Sequence, residues 1–312
     1  MLTVFSMPKP FRCHIRVIQY NAIKSWTLLG PGVEVILLGD EPGTAEACRD
    51  LGVRHEPHVE RNEFGTPLLN SVFSKARALA SHEILCYSNC DIVLPQTFVQ
   101  ALNTVGALYR QFLIVGRRWD LDITEPVDFS RSGSAQLQAR ALQARSQRPA
   151  YFIDYFAFRG SFCSNMPPFA IGRPAWDNWF IWNACASDVA VIDASEAVVA
   201  VHQNHDYSHH VNGRKGVYDG EEAIRNRRLL GSSNHYFTIE HATHRLTPAG
   251  KLQNRRLRRQ FAPLRVVWIR RVSPAFYSLM ESTVALRHRL GLRREGWLGS
   301  LLGSRKIRRN TS

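Results

Sequence analysis

Apolar positions along this chain alternate between two periods from the first residues to about residue 230. Leu2-Thr3-Val4-Phe5 is a short apolar run that stops at Ser6-Met7-Pro8-Lys9-Pro10 and predicts a first strand. Over residues 15 to 29, Ile15, Ile18, Ala22 and Trp26 recur near helical spacing. Residues 33 to 38 read as a second strand closing on Gly39-Asp40-Glu41. Thr44 can cap a short helix over 44 to 51, which Gly52 ends in the usual left-handed position. Thr66 and Pro67 predict the cap and first turn of another helix, with Leu69, Val72, Phe73, Ala76 and Ala80 on one face.

That helix leads into the most informative stretch. The apolar run 84 to 87 stops abruptly at Asn89-Cys90-Asp91, and Ile92-Val93-Leu94 follows. A buried parallel strand delivers a carboxylate to the carboxyl edge of an α/β sheet in this way, where ligands bind. A carboxylate with an amide oxygen two residues before it suits a hard divalent cation and the diphosphate that cation neutralises. Phe112-Leu113-Ile114-Val115 predicts a further strand, ending at Gly116-Arg117-Arg118-Trp119-Asp120. The polar stretch 128 to 149 reads as an exposed helix or a flap. Strands are expected near 151–158, 189–192 and 197–201, around an aromatic segment over 174 to 184 that looks helical from Trp176. With no internal repeat, GxGxxG or Walker loop, the alternation predicts an α/β fold, a mostly parallel sheet sandwiched by helices.

Composition adds a division. At 312 residues and 45% hydrophobic, the chain can bury one large core with an appended segment. The net charge of +14 is concentrated at the end: residues 245 to 312 hold 17 Lys/Arg against Glu281 and Glu295, leaving 23 basic and 24 acidic side chains in the first 244. A near-neutral body over 1–245 therefore carries a basic, helical, amphipathic extension over 246–312. In that extension basic residues interleave with Trp, Leu and Phe, which describes an interfacial helix drawn to an anionic membrane; a solvated basic extension is the plainer alternative. Nucleic acid is not an expected partner, since the body offers no stacking platform or reading helix. Six scattered cysteines without CxxC pairs suggest reduced thiols. The N-terminal residues lack a leader pattern, and no run reaches the roughly 18 apolar residues of a span, so a cytoplasmic protein, peripheral at the inner membrane face, is expected.

Four segments carry a resemblance: Pro8-Lys9-Pro10-Phe11, Tyr87-Ser88-Asn89-Cys90-Asp91-Ile92, Gly172-Arg173-Pro174-Ala175-Trp176-Asp177-Asn178-Trp179 and His202-Gln203-Asn204-His205-Asp206-Tyr207. Over roughly residues 3 to 230 the chain resembles nucleotide-sugar-dependent glycosyltransferases of the GT-A (Rossmann-like) fold, close to a bacterial and plant group, family-2-like. The resemblance implies a metal-assisted, inverting transferase that moves a sugar from a nucleotide-sugar donor to a hydroxyl of a glycan or lipid-linked acceptor, with Mn²⁺ or Mg²⁺ as cofactor and polysaccharide biosynthesis as setting. It places Pro8, Lys9, Asp40, Asn70 and Lys75 at the donor nucleoside and Asp91 on the metal, with Asn89 near the ribose or metal. Family members commonly carry Asp at the first position of this triplet; Asn89 is an uncharged and weaker ligand. It further places the general base at Asp177, and one His after the last core strand on the metal, His202 before His205.

Chemistry asks for the same groups. A departing nucleoside diphosphate must be stabilised by a cation, for which Lys9, Arg117 and Arg118 are candidates, and the acceptor hydroxyl must lose a proton to a carboxylate on the opposite face. Trp176 and Trp179, with Asn178 and Asp154, are candidates for the acceptor side, because indoles suit the apolar faces of sugars. Plainer readings stand beside each: Asp91 as a turn cap, Asp40 as a surface acid, Asp177 as an acid favoured by a helix N-terminus, the tryptophans as core, and the histidines as a hydrogen-bonded rim. A dinuclear metal hydrolase would need a second carboxylate cluster, which the sequence lacks. The rival of a different class is a catalytically silent nucleotide-sugar fold acting as a membrane or polyanion adaptor through its extension; Asn89 is the residue that favours it.

Overall fold

In the computed structural model of the protein, the described residues are 1–131, 133–206 and 213–255. They lie within one compact unit, Met1–Arg256; of the basic extension expected over 246–312, residues 256–312 lie outside the described residues.

The chain opens on strand β1 (Leu2–Ser6), helix α1 (Cys13–Thr27), β2 (Val33–Leu38), α2 (Thr44–Leu51) and β3 (Arg54–Glu56). Then follow α3 (Leu69–Leu79), β4 (Ile84–Ser88), β5 (Ile92–Val93), α4 (Gln96–Leu108) and β6 (Phe112–Leu121). The second half adds α5 (Gly133–Ala144), β7 (Ile153–Arg159), α6 (Trp176–Ala186), β8 (Ala190–Asp193), β9 (Ala200–Gln203), α7 (Gly213–Asp219), α8 (Glu221–Leu229), β10 (His244–Leu246) and β11 (Leu252–Asn254). The main sheet runs β11-β10-β8-β6-β7-β4-β1-β2-β3, and β9 joins β6 to β5 beside it. Most pairs are parallel; β7 is antiparallel to both β4 and β6, β5 is antiparallel to β9, and β10 is antiparallel to β11. The expected α/β architecture is present.

Strand periodicity explains the two layers, because successive side chains leave opposite faces of a sheet. Phe5, Ile36, Leu38, Phe156 and Phe158 point to one side and pack with Val72 and Phe73 of α3 and Phe180 of α6. Val4, Val35, Leu37, Ile114 and Ala157 point to the other and pack with Ala22 and Trp26 of α1, Ala47 of α2 and Phe98 of α4.

Three expectations change. Helix α3 begins at Leu69 with no side-chain cap, not at Thr66-Pro67, because those two residues belong to a tight loop. Asn62 Oδ1 accepts from Thr66 N at 2.9 Å, and Pro67 bridges Arg61. Of the two readings of the polar stretch 128–149, exposed helix or flap, the structure has the helix, α5, but with Leu137 and Ala141 buried. The body also runs beyond 245, since β10 and β11 complete the sheet edge.

Candidate functional site

The parallel strands β1, β2 and β4 end side by side, and the residues after them make one edge: Pro8 and Lys9 after β1, Asp40 after β2, Asn89 and Asp91 after β4. The β5/β9 pair completes it. Ile92 faces His202 in register and Gln203 N donates to Asp91 O at 3.0 Å, so β9 brings its histidines against the Asp91 turn. The result is a cluster of Asp91, His202 and His205 whose potential ligand atoms lie within 4.8 Å of one another. All three sequence candidates for a metal therefore converge.

The polar atoms fit a cation. Asp91 Oδ1 is buried with no hydrogen-bond partner. His205 Nδ1 lies 2.6 Å from the carbonyl oxygen of Asp206 and must donate its proton there. When the ring is neutral, Nε2 then turns a lone pair toward Asp91 Oδ2 at 3.1 Å, and two lone-pair atoms at that distance need a positive charge between or beside them. His202 Nδ1 lies 3.2 Å from Asp120 Oδ1, leaving Nε2 for a ligand, as in carboxylate–histidine–metal sites. Lys9 supplies a resident cation, its Nζ 2.9 Å from His205 Nε2 and 3.6 Å from Asp91 Oδ2. Its backbone is clamped on both sides by buried Gln19, which donates to Lys9 O at 2.8 Å and accepts from Lys9 N at 2.7 Å. Burial alone would raise the Asp91 carboxyl; when the imidazoles are instead protonated, a hydrogen bond from His205 Nε2 and the charges of His202 and Lys9 hold it well below the usual carboxylate range.

Behind this cluster runs a partly buried ionic chain. Arg118 Nε donates to Asp120 Oδ1 and its Nη1 to Asp154 Oδ2, both at 2.9 Å, and Arg148 lies 3.2 Å from the other Asp120 oxygen. Asn89 Nδ2 donates to Asp154 Oδ1 at 2.7 Å. Burial works against the Asp120 charge, and His202 and Arg118 outweigh it, so its carboxyl is held low. Arg118, expected at the donor diphosphate, is thus spent on two carboxylates; Asn89, expected at the ribose or metal, steadies Asp154; and Asp154, expected at the acceptor, is a buried anchor. Arg117 differs. Strand β6 bulges between Val115 and Arg117, and Arg117 Nε is buried without a hydrogen-bond partner, which keeps it available.

Asp177 sits in the first turn of α6, after Ala175, a buried residue held at φ 86°. Asp177 is half-buried as a residue, and burial pushes its carboxyl up to about 7; the N–H groups of the turn oppose that rise and the charge of Asp154 adds to it. A carboxyl near neutrality is matched to proton transfer. The flanking residues do not present an acceptor face. Trp176 and Trp179 are 7% and 6% exposed and pack into the core against Phe156 and Phe169. Asn178 is buried, donating to Phe237 O at 2.7 Å. An apolar helix beside an all-apolar sheet face takes its indoles inward.

The remaining donor candidates differ in exposure. Asp40 is exposed and paired with Arg61 at 2.5 Å, which holds its carboxyl low, and Lys75 lies 3.8 Å from Glu56. On α3, Asn70 leaves a buried, unpartnered Oδ1. Sequence reasoning singled out Asp120 only as a strand end and missed Gln19; the signal for Gln19 was a polar residue on the buried face of an amphipathic helix.

No family model and no curated protein matches the chain. Among solved structures it is similar to glucosyl-3-phosphoglycerate synthase of Mycobacterium tuberculosis, at 14% identity over 74% of this chain and 78% of that one, with a TM-score of 0.43. It is similar also to that enzyme in complex with Mn²⁺, uridine diphosphate and glucosyl-3-phosphoglycerate, at 15% identity over 66% and 72% of the two chains, with a TM-score of 0.40.

Proposed function

We propose that this protein is a glycosyltransferase, moving a sugar from a nucleotide-sugar donor to a hydroxyl of a glycan or lipid-linked acceptor with inversion at the anomeric carbon. The observation that carries the reading is the convergence of Asp91, His202 and His205 at the carboxyl edge of the parallel strands. These three would hold Mn²⁺ or Mg²⁺, and two imidazoles with one carboxylate favour Mn²⁺. When bound, the ion supplies Lewis-acid neutralisation of the departing diphosphate. Lys9 and the available Arg117 add positive charge to that leaving group, and Asp120 orients His202. Asp177 takes the proton of the acceptor hydroxyl. The acceptor oxygen bonds to the anomeric carbon as the bond from that carbon to the diphosphate oxygen breaks, the electron pair leaving with the diphosphate. Asn89, the residue that spoke for a silent adaptor, has a supporting task in this site.

Calorimetric titration of nucleoside diphosphates and nucleotide sugars, with and without Mn²⁺, tests the reading. Expected is metal-assisted binding of one nucleotide class, lost in Asp91→Ala. A folded wild-type protein that binds none of them overturns it.

A further inference from the structure

With the tryptophans buried, the aromatic surface beside Asp177 belongs to two other residues. Tyr151 is 55% exposed and Tyr236 is 50% exposed. Three hydrogen bonds bring their segments to the same place. Asn178, next to Asp177, donates to the carbonyl of Phe237, next to Tyr236, at 2.7 Å. Ile239 N donates to the carbonyl of Ala150, next to Tyr151, at 3.2 Å. Asn89 N donates to Asp154 O at 2.9 Å and ties β7, which follows Tyr151, to the Asp91 turn.

The segment that carries Tyr236 is held rigidly. His235 stacks on Trp182 with centroids 3.7 Å apart, and His241 stacks on Phe237 at 4.3 Å. Thr238 and His241 form a capping box over the intervening turn. Tyr151 packs against Phe152 with centroids 4.8 Å apart and rings tilted by 36°, and Phe152 in turn lies under the guanidinium groups of Arg118 and Arg148 at 4.9 and 4.4 Å. Both tyrosines thus stand on fixed supports while leaving half their surface to solvent, an arrangement that packing alone does not require. The Tyr236 phenol is raised above its ordinary value by burial and by the nearby charge of Asp177, with a further contribution from Tyr151, in keeping with that proximity.

We propose that Tyr151 and Tyr236 form the acceptor subsite and that the acceptor is a pyranoside, its apolar ring face resting on the aromatic pair while one hydroxyl points to Asp177. A pyranose presents patches of C–H on one face and hydroxyls at its rim, which matches rigid aromatic faces beside a single proton acceptor. A linear polyol or a simple phosphorylated acid has no such face. The proposal rests on the assignment of Asp177 as base and adds the acceptor's class.

Saturation-transfer NMR with methyl glucoside, galactoside, mannoside and rhamnoside tests it on the full chain. Expected are ring-proton signals for at least one glycoside in the wild type, reduced at least fivefold in Tyr151→Ala and Tyr236→Ala and retained in Tyr236→Phe, which keeps the ring. Thermal unfolding of each variant, and nucleoside diphosphate titration of the same samples, are read in parallel. Signals unchanged in both alanine variants, or absent for every glycoside while nucleotide still binds, overturn the subsite and leave the transferase reading in place. Absence of nucleotide binding overturns the transferase reading, and the glycoside signals then decide the subsite separately.

Discussion

Asp177 owes its chemistry to burial. Protonated below about 7 in the folded protein, it becomes a base as pH rises, so kcat/KM for transfer is expected to climb through pH 7 and level off above it. Stability has the opposite sign: the folded pKa lies above the unfolded one, so the native state binds more protons between roughly pH 4 and 7 and loses stability as pH rises across that window. Asp177→Asn should abolish transfer, leave donor affinity unchanged in calorimetry, and flatten that stability slope in denaturant melts. Asp120 tests the neighbouring group. Asp120→Asn removes the charge facing His202 Nδ1 and is expected to weaken Mn²⁺ binding about 10- to 100-fold, read by calorimetric titration.

At the scale of elements, local signals located the strands and tertiary pairing decided their ends. Thr66-Pro67 has the composition of a helix start, yet Asn62 and the Arg61 bridge claim both residues for a loop. Strand β6, expected to end at Val115, continues to Leu121 because β9 pairs its second half in register with Arg118 through Leu121. The bulge between these halves depends on Gly116, where a Cβ would lie 1.9 Å from the buried Tyr155 hydroxyl. Gly116→Ala is therefore expected to cost about 2 kcal/mol or more in urea unfolding. The same hydroxyl is buried without a hydrogen-bond partner, so Tyr155→Phe should be neutral or stabilise by about 1 kcal/mol, and should soften the Gly116→Ala defect.

At the scale of the whole molecule, charge separates two parts. Among the described residues no helix is long and apolar enough to cross a membrane, and the sequence places the basic charge beyond them. Removing residues 256–312, a cut that spares β11, is expected to abolish sedimentation with anionic vesicles while the body keeps its melting transition; each basic side chain near such a surface contributes about 1 kcal/mol. Vesicle binding that survives the cut removes the extension from the targeting hypothesis.

Periodicity along the chain was enough to show an alternating α/β body, the acidic turn after β4 and the charge asymmetry, because each depends on residues close in sequence. The metal candidates Asp91, His202 and His205 were legible through the resemblance of their segments, Asp91 and His205 lying just past strand ends and His202 in the last part of β9. What only the tertiary structure decided is which polar groups are committed to one another. Arg118, Asn89 and Asp154 look like free binding groups in a row of letters, but long-range pairing of β4, β6, β7 and β9 joins them into one ionic chain. Trp176 and Trp179 look like a sugar platform, but the apolar sheet face beneath α6 draws them inward. The exposed tyrosines escaped notice because exposure is a property of the fold, and nothing adjacent to Tyr151 or Tyr236 in sequence states it.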